Sequence, residues 1–260
     1  MVYRTDVGKK IQQMTQSDPS ASLGIGGFLF GIYAWLAFVL SVLSGIVFAL
    51  LLPGLERRRR WVSGSARATF QLTGMSVKVR GLEKLPVGHC VVVANHASYI
   101  DGVLLFGYIP PRFAVVIKGE MQNFPAVHFL LRRIGAKFVE RFDASGSARD
   151  ARHLLRAASS GESLAVFPEG TFLRYPGLDR FRAGAFAAAI KGSLPVVPVV
   201  LSGARHVLPG GHILPRHGHL RIDVLNPIEP ADPAFENSRD LAELSRQRIL
   251  EILDEPDLLA

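Results

Sequence analysis

His96 and Asp101 are the two residues of this chain whose types and spacing suit chemistry. An imidazole with one nitrogen bonded to a carboxylate keeps the other nitrogen free to take a proton from a hydroxyl. That is the base-and-orienter half of a serine hydrolase triad, here without a protein nucleophile. The pair follows Val91-Val92-Val93-Ala94, a β-branched run that reads as a buried strand. A helix is expected to start near Ser98. On one ideal helix, positions five apart lie roughly 140° apart, and their side chains do not meet. They meet if His96 stays in the loop and Asp101 enters the first helical turn. Ser98-Tyr99-Ile100-Asp101 also fits a capping pattern. Asp101 therefore has two readings, orienter of the imidazole or cap of the helix.

Four further charged positions fall at the ends of expected strands or just after them: Lys118, Arg141, Glu169 and Arg174. In a parallel sheet the carboxyl ends of the strands share one edge, where ligands sit. His96, Lys118, Arg141, Glu169 and Arg174 would converge there. Cations around a His–Asp base suit an anionic hydroxyl substrate such as a phosphorylated glycerol.

The elements that must position these groups can be read from the hydrophobic pattern. Strands are expected over 76–80, 90–94, 113–117, 137–140, 163–167, 196–201 and 219–225. Helices are expected over 98–108, 124–134, 147–159, 183–191 and 237–254. Continuous apolar strands alternating with helices indicate an α/β fold: a mostly parallel sheet of about seven strands flanked by helices. The chain of 260 residues has room for one such domain and a short appendage. Its single cysteine, Cys90, excludes an intramolecular disulfide framework and reads as a core residue.

The appendage is N-terminal. Residues 1–24 are a polar tail. From Ile25 to Leu52 no residue is charged, and about 28 residues of helix reach about 42 Å, more than a bilayer core of about 30 Å. This membrane anchor, 25–52, is either one span or two short helices breaking at Gly31 or Gly45 and lying in one leaflet. A helix buried within the protein is the third reading. Residues 53–74 form a basic juxtamembrane segment with Arg57, Arg58, Arg59 and Arg60, and 75–260 the α/β domain. The arginines place that domain on the cytoplasmic side of a bacterial inner membrane. A hydrophobic content of 48 % and a net charge of +8 point to an acidic membrane surface. No basic stripe interleaved with aromatics and no helix-turn-helix spacing suggests nucleic acid. His206, His212, His217 and His219 match no zinc spacing, and no metal or cofactor is expected.

Asn95-His96-Ala97-Ser98-x-x-Asp101, Gly135 to Arg141, Phe167 to Thr171 and Leu194 to Val199 together resemble the four ordered blocks of the glycerolipid acyltransferases, which include glycerol-3-phosphate and 1-acylglycerol-3-phosphate O-acyltransferases. The resemblance covers about residues 75–205. It implies His96 as the general base on the acceptor hydroxyl, Asp101 as its orienter, and direct attack on the thioester of acyl-CoA or acyl carrier protein. It implies Arg141 and Lys118 near the acceptor phosphate, with Asn95, Ser98, Glu169, Gly170 and Thr171 shaping the acceptor site. Leu194 to Val199 would line the acyl path. One position departs from the pattern. The family's third block ends Glu-Gly-Thr-Arg, and here Phe172 follows Thr171, the nearest arginine being Arg174. Either Arg174 reaches back to the phosphate, or the acceptor is less anionic, for example a lyso-ornithine lipid or another lysophospholipid. A lipid-binding module that keeps the fold without catalysis is the reading from another class.

Overall fold

The computed structural model describes residues 24–139, 156 and 162–260. Arg141, and the helix expected over 147–159 except Arg156, lie outside the described residues. Seven strands form one sheet: β1 (Ser76–Arg80), β2 (Val91–Ala94), β3 (Ala114–Lys118), β4 (Lys137–Val139), β5 (Leu164–Val166), β6 (Val196–Ser202) and β7 (His219–Val224). Their order is β1-β7-β6-β2-β5-β3-β4. The strands β6, β2, β5, β3 and β4 run parallel; β7 runs antiparallel to β6, and β1 parallel to β7.

β2 lies at the centre. Val91, Val92, Val93 and Ala94 pair with Val196 to Val199 on one side, and Val91 to Val93 pair with Leu164 to Val166 on the other. A strand covered on both faces has no use for alternation, and all four of its residues are buried. Val91 and Val93 pack into a core closed by α5 (Gly184–Gly192) and α7 (Ser238–Leu250). The α-helices α1 (Ile25–Leu51), α2 (Leu55–Leu72) and α3 (Asp101–Tyr108) cover the opposite core, where Val92 and Ala94 meet Ala34, Phe70, Leu104 and Leu105. A third, smaller cluster joins Ala49, Val62, Leu130 and Ile134 where α4 (Pro125–Arg133) meets α1 and α2.

The apolar run is a single unbroken helix of 27 residues, not a pair of short ones. Gly31, Ala34, Ala37, Ser41, Gly45 and Ala49 form its buried stripe. Small residues let the helix lie close: a Cβ on Gly31 would come within 2.9 Å of Leu214. Polar ties hold it along its length. Tyr33 Oη donates to Leu72 O at 2.7 Å, Trp35 Nε1 donates to Ile213 O at 2.7 Å, and Arg133 Nε donates to Ala49 O at 3.0 Å. The outer face carries Phe28, Leu29, Ile32, Leu36, Val39, Leu40, Leu43 and Val47, all exposed.

After Pro53-Gly54 the basic segment is also helical, as α2, and it is built into the body. Arg59 points inward. Its guanidinium donates to Ile134 O at 2.7 Å and to Arg112 O at 3.0 Å, and burial lowers its pKa. Arg57 and Arg60 face outward, Arg60 beside Glu56 at 3.3 Å.

Candidate active site

The site forms where β2 and β5 end. Asn95 leaves β2 and continues its pairing through the side chain. Its Nδ2 donates to Leu201 O at 3.0 Å, and its Oδ1 accepts from Leu201 N at 2.8 Å. This fixes the first residue of the loop to β6. His96 follows, with its side chain 18 % exposed. Its Nδ1 lies 3.0 Å from Oδ2 of Asp101, which is fully buried. A carboxylate only accepts, so the proton sits on Nδ1 and the lone pair of Nε2 is free.

The same Oδ2 of Asp101 accepts the backbone N–H groups of Ala97 at 2.6 Å and Ser98 at 2.7 Å. These contacts replace the cap reading of Asp101: α3 has no side-chain cap, and the carboxylate orients the imidazole and ties the turn in front of the helix. They also explain a difference from expectation. The helix starts at Asp101 rather than near Ser98. Ser98 Oγ donates to Leu208 O at 2.7 Å and accepts from Ile100 N at 3.3 Å, which holds 98–100 in a turn. The other Asp101 oxygen is buried and has no hydrogen-bond partner among the described residues.

Glu169 enters from the loop after β5. Its Oε1 accepts the His96 backbone N–H at 2.6 Å, and its Oε2 accepts that of Asp179 at 3.2 Å. One carboxyl group thereby spans the histidine loop and the 171–182 segment. Burial pushes its pKa up to about 8; the two N–H donors oppose the shift, and the charges of Glu255 and Asp101 add to it. Gly170 has φ +85°, a left-handed turn that a side chain disfavours. That turn directs Thr171 outward, where it is exposed.

Aromatic rings surround the imidazole. Phe167 stacks on it at 4.4 Å between centroids, and Phe172 meets it edge-on at 4.8 Å. Tyr99, largely exposed, packs edge-on against Phe172 at 4.7 Å. Phe172, at the position where the resemblance leads one to expect arginine, is thus the side chain of its segment that borders the base. Arg174 does not take its place there. It lies over Gly210 and Gly211, its Nε 3.5 Å from where a Cβ on Gly211 would stand. Arg205 holds this segment: it donates to Leu173 O at 2.8 Å while its Nε and Nη2 engage Glu255 at 2.8 and 2.9 Å.

The structure thus brings His96, Asp101 and Glu169 together at one edge of the sheet, with Asn95, Ser98 and Gly170 shaping the backbone around them. The side chains of Asn95 and Ser98 bond to protein backbone and hold the loop in place. Lys118 ends β3 at the same edge; Arg141 lies outside the described residues. The Leu194 to Val199 segment, expected to line an acyl path, is packed into the sheet and its two cores. Val196, Val197 and Val199 are fully buried in the two cores, and the segment begins roughly 10 Å along β6 from the catalytic edge, at about 3.3 Å per residue. Tyr99 and Arg205 carry no expectation from sequence, and Phe167 enters there only as the start of the third block, without a place beside the imidazole. For Phe172 the signal was present, as the departure from Glu-Gly-Thr-Arg.

Comparison with known proteins bears on the family and the fold. Residues 76–202 match the family model named Acyltransferase. The chain is 28 % identical over 243 residues, 88 % of its own length and 69 % of the other, to the chloroplastic 1-acyl-sn-glycerol-3-phosphate acyltransferase BAT2 of Brassica napus. It is 27 % identical over 247 residues, 89 % of this chain and 80 % of the other, to the 1-acyl-sn-glycerol-3-phosphate acyltransferase of Saccharomyces cerevisiae. The enzyme of that name from Haemophilus influenzae is 28 % identical over 194 residues, 72 % of this chain and 79 % of the other. Among solved structures, the 1-acyl-sn-glycerophosphate acyltransferase PlsC of Thermotoga maritima superposes with a TM-score of 0.72 at 24 % identity, over 88 % of this chain and 96 % of the other. That likeness establishes the fold.

Proposed function

Because the chain belongs to the Acyltransferase family through residues 76–202 and is an acyltransferase, we propose that it transfers a fatty acyl group to the hydroxyl of 1-acylglycerol-3-phosphate, giving phosphatidic acid. The single observation that carries this reading is the His96 Nδ1 to Asp101 Oδ2 contact of 3.0 Å, which leaves Nε2 as the free base. Nε2 takes the hydroxyl proton as the acceptor oxygen attacks the thioester carbonyl of acyl-CoA or acyl carrier protein. The carbon–sulfur bond then breaks, and the imidazolium returns the proton to the departing thiolate. Asp101 stabilises the imidazolium throughout. No acyl-enzyme is needed: among the described residues no serine, threonine or cysteine is hydrogen-bonded to the His96 ring, and Ser98 Oγ is bonded to Leu208 O.

The reading includes the membrane. The outer face of α1 is apolar along the helix, and the inner face is tied to the body from Tyr33 to Ala49. A helix held lengthwise on its own domain lies along a bilayer, with its outer face in one leaflet, instead of crossing it. Arg57 and Arg60 supply charge for anionic headgroups, on the cytoplasmic face of the membrane.

A second reading keeps the reaction and changes the acceptor, and Phe172 motivates it. An aromatic edge beside the base offers no charge to a phosphate, which suits a lyso-ornithine lipid or another less anionic acceptor. A panel of lysolipid acceptors with labelled acyl-CoA and acyl carrier protein, run on wild type and His96→Ala, tests both. Product from 1-acylglycerol-3-phosphate that disappears in His96→Ala supports the first reading. Product from uncharged or zwitterionic acceptors alone selects the second, and wild-type turnover in His96→Ala refutes the base.

A further inference from the structure

Between α6 (Ala204–Val207) and β7 the chain makes an ordered excursion whose purpose the fold alone does not explain. Arg216 N donates to Val207 O at 2.7 Å and closes its base; His212 N donates to Pro209 O at 3.1 Å and turns its tip; Gly211 adopts φ +87°. At the tip Ile213 is 75 % exposed. The tip is docked on α1 by the Trp35 Nε1–Ile213 O bond and by Leu214 seated over Gly31. Its apolar surface therefore continues the exposed face of the helix, next to Trp35, Leu36 and Ile32. The base of the excursion reaches the catalytic loop. Leu208 O accepts from Ser98 Oγ at 2.7 Å, and Gly210 abuts Phe172, the ring beside His96.

Charge favours one partner. From Gly203 to Ile222 the chain has no acidic residue; Arg205 and Arg221 are paired with Glu255 and Asp223, and Arg216, with the exposed Arg174 lying over Gly211, supplies the positive charge of the loop. Resting on the membrane seating of α1 proposed above, we infer that the 209–216 loop is a second membrane-inserting element. Its tip, with Ile213, enters an anionic phospholipid leaflet beside α1, and its flank, from Gly210 to Phe172, is the wall along which the lipid acceptor passes from the leaflet to His96. The single native cysteine, Cys90, is fully buried, so a thiol-reactive dye reports an introduced site.

The full-length protein is made as Ile213→Cys and, separately, as Leu36→Cys on the outer face of α1. Each is labelled with a polarity-sensitive dye and mixed with phosphatidylglycerol–phosphatidylethanolamine vesicles with and without brominated acyl chains. Both labels are expected to shift to the blue and to be quenched by the brominated lipid. A shift at Leu36→Cys with none at Ile213→Cys overturns the loop proposal and leaves the seating of α1 standing; silence at both overturns the two together, whatever the enzymatic activity. Ile213→Glu is then assayed with the acceptor presented in vesicles and as a monodisperse short-chain lysolipid. The apparent KM for the vesicle acceptor is expected to rise roughly tenfold or more, from loss of a buried branched side chain, with the soluble acceptor unchanged. Equal losses on both acceptors, or none on either, overturn the passage.

Discussion

Asp101→Asn separates the charge of the orienter from its hydrogen bonds. All three donors to Asp101, His96 Nδ1, Ala97 N and Ser98 N, meet a single oxygen. An asparagine with its carbonyl oxygen at that place accepts all three, and its amide falls where the second carboxylate oxygen has no partner among the described residues. The turn before α3 therefore survives, and the negative charge is lost. An imidazolium and a carboxylate with charge centres about 4 Å apart attract by about 4 kcal/mol at an effective dielectric of about 20. The transition state in which His96 has taken the proton loses that stabilisation, so kcat is expected to fall about 10³-fold. Asp101→Ala serves as the contrast. It leaves two buried backbone N–H groups unpaired, which costs about 2–6 kcal/mol and lowers the melting temperature as well as the rate. The assay is thiol release from acyl-CoA in the presence of acceptor, alongside thermal unfolding of each variant. An Asp101→Asn protein that melts like wild type and keeps more than a tenth of its kcat would refute the electrostatic role.

Glu169→Gln is expected to flatten the dependence of stability on pH. The folded carboxyl holds its proton up to about pH 8 while the unfolded one releases it near the ordinary glutamate value, so stability falls as pH rises through that window and levels above it. Thermal melts from pH 4 to 9 check this, and an unchanged profile in Glu169→Gln rejects the buried carboxyl as its source. The arginines of α2 divide by direction: Arg59→Ala leaves the Ile134 and Arg112 carbonyls without their donor and is expected to cost about 2–4 kcal/mol of stability in denaturant titrations. Arg57→Ala and Arg60→Ala are expected to leave stability unchanged and to weaken binding to anionic vesicles by about 1 kcal/mol each in flotation assays.

The elements legible in the sequence were those whose burial leaves a simple trace. All seven strands were placed within two residues at either end, because runs such as Val91–Ala94 or Val196–Leu201 are apolar on both faces and bounded by polar or turn residues. The reach of side chains was not legible. Nothing local in Glu56-Arg-Arg-Arg-Arg60 says that the third arginine turns inward to carbonyls 52 to 76 positions away, since that direction is set by how α2 sits on α4. Leu194 to Val199 has the composition of a lipid-facing wall and equally that of a core strand. The register with β2 decides for the core. Arg205 carried no signal, because its partner Glu255 and its target Leu173 are both remote in sequence.

The case of Asp101 is different: its carboxylate meets the imidazole, and instead of capping α3, which has no side-chain cap, it ties the turn in front of it. A five-residue step from His96 is too long for one helical face and suits a loop residue followed by a helix start. The loop between them must then be held, and its free donors are the N–H groups of Ala97 and Ser98. A carboxylate placed to receive them already lies within reach of the imidazole, because the residue before those donors is His96 itself. Holding the turn and orienting the base are thus one geometric requirement met by one oxygen. It follows that lengthening the side chain, as in Asp101→Glu, moves that oxygen away from three partners at once, although the charge is kept. The spacing between the histidine and the acid therefore constrains the fold of the loop as tightly as it constrains proton transfer.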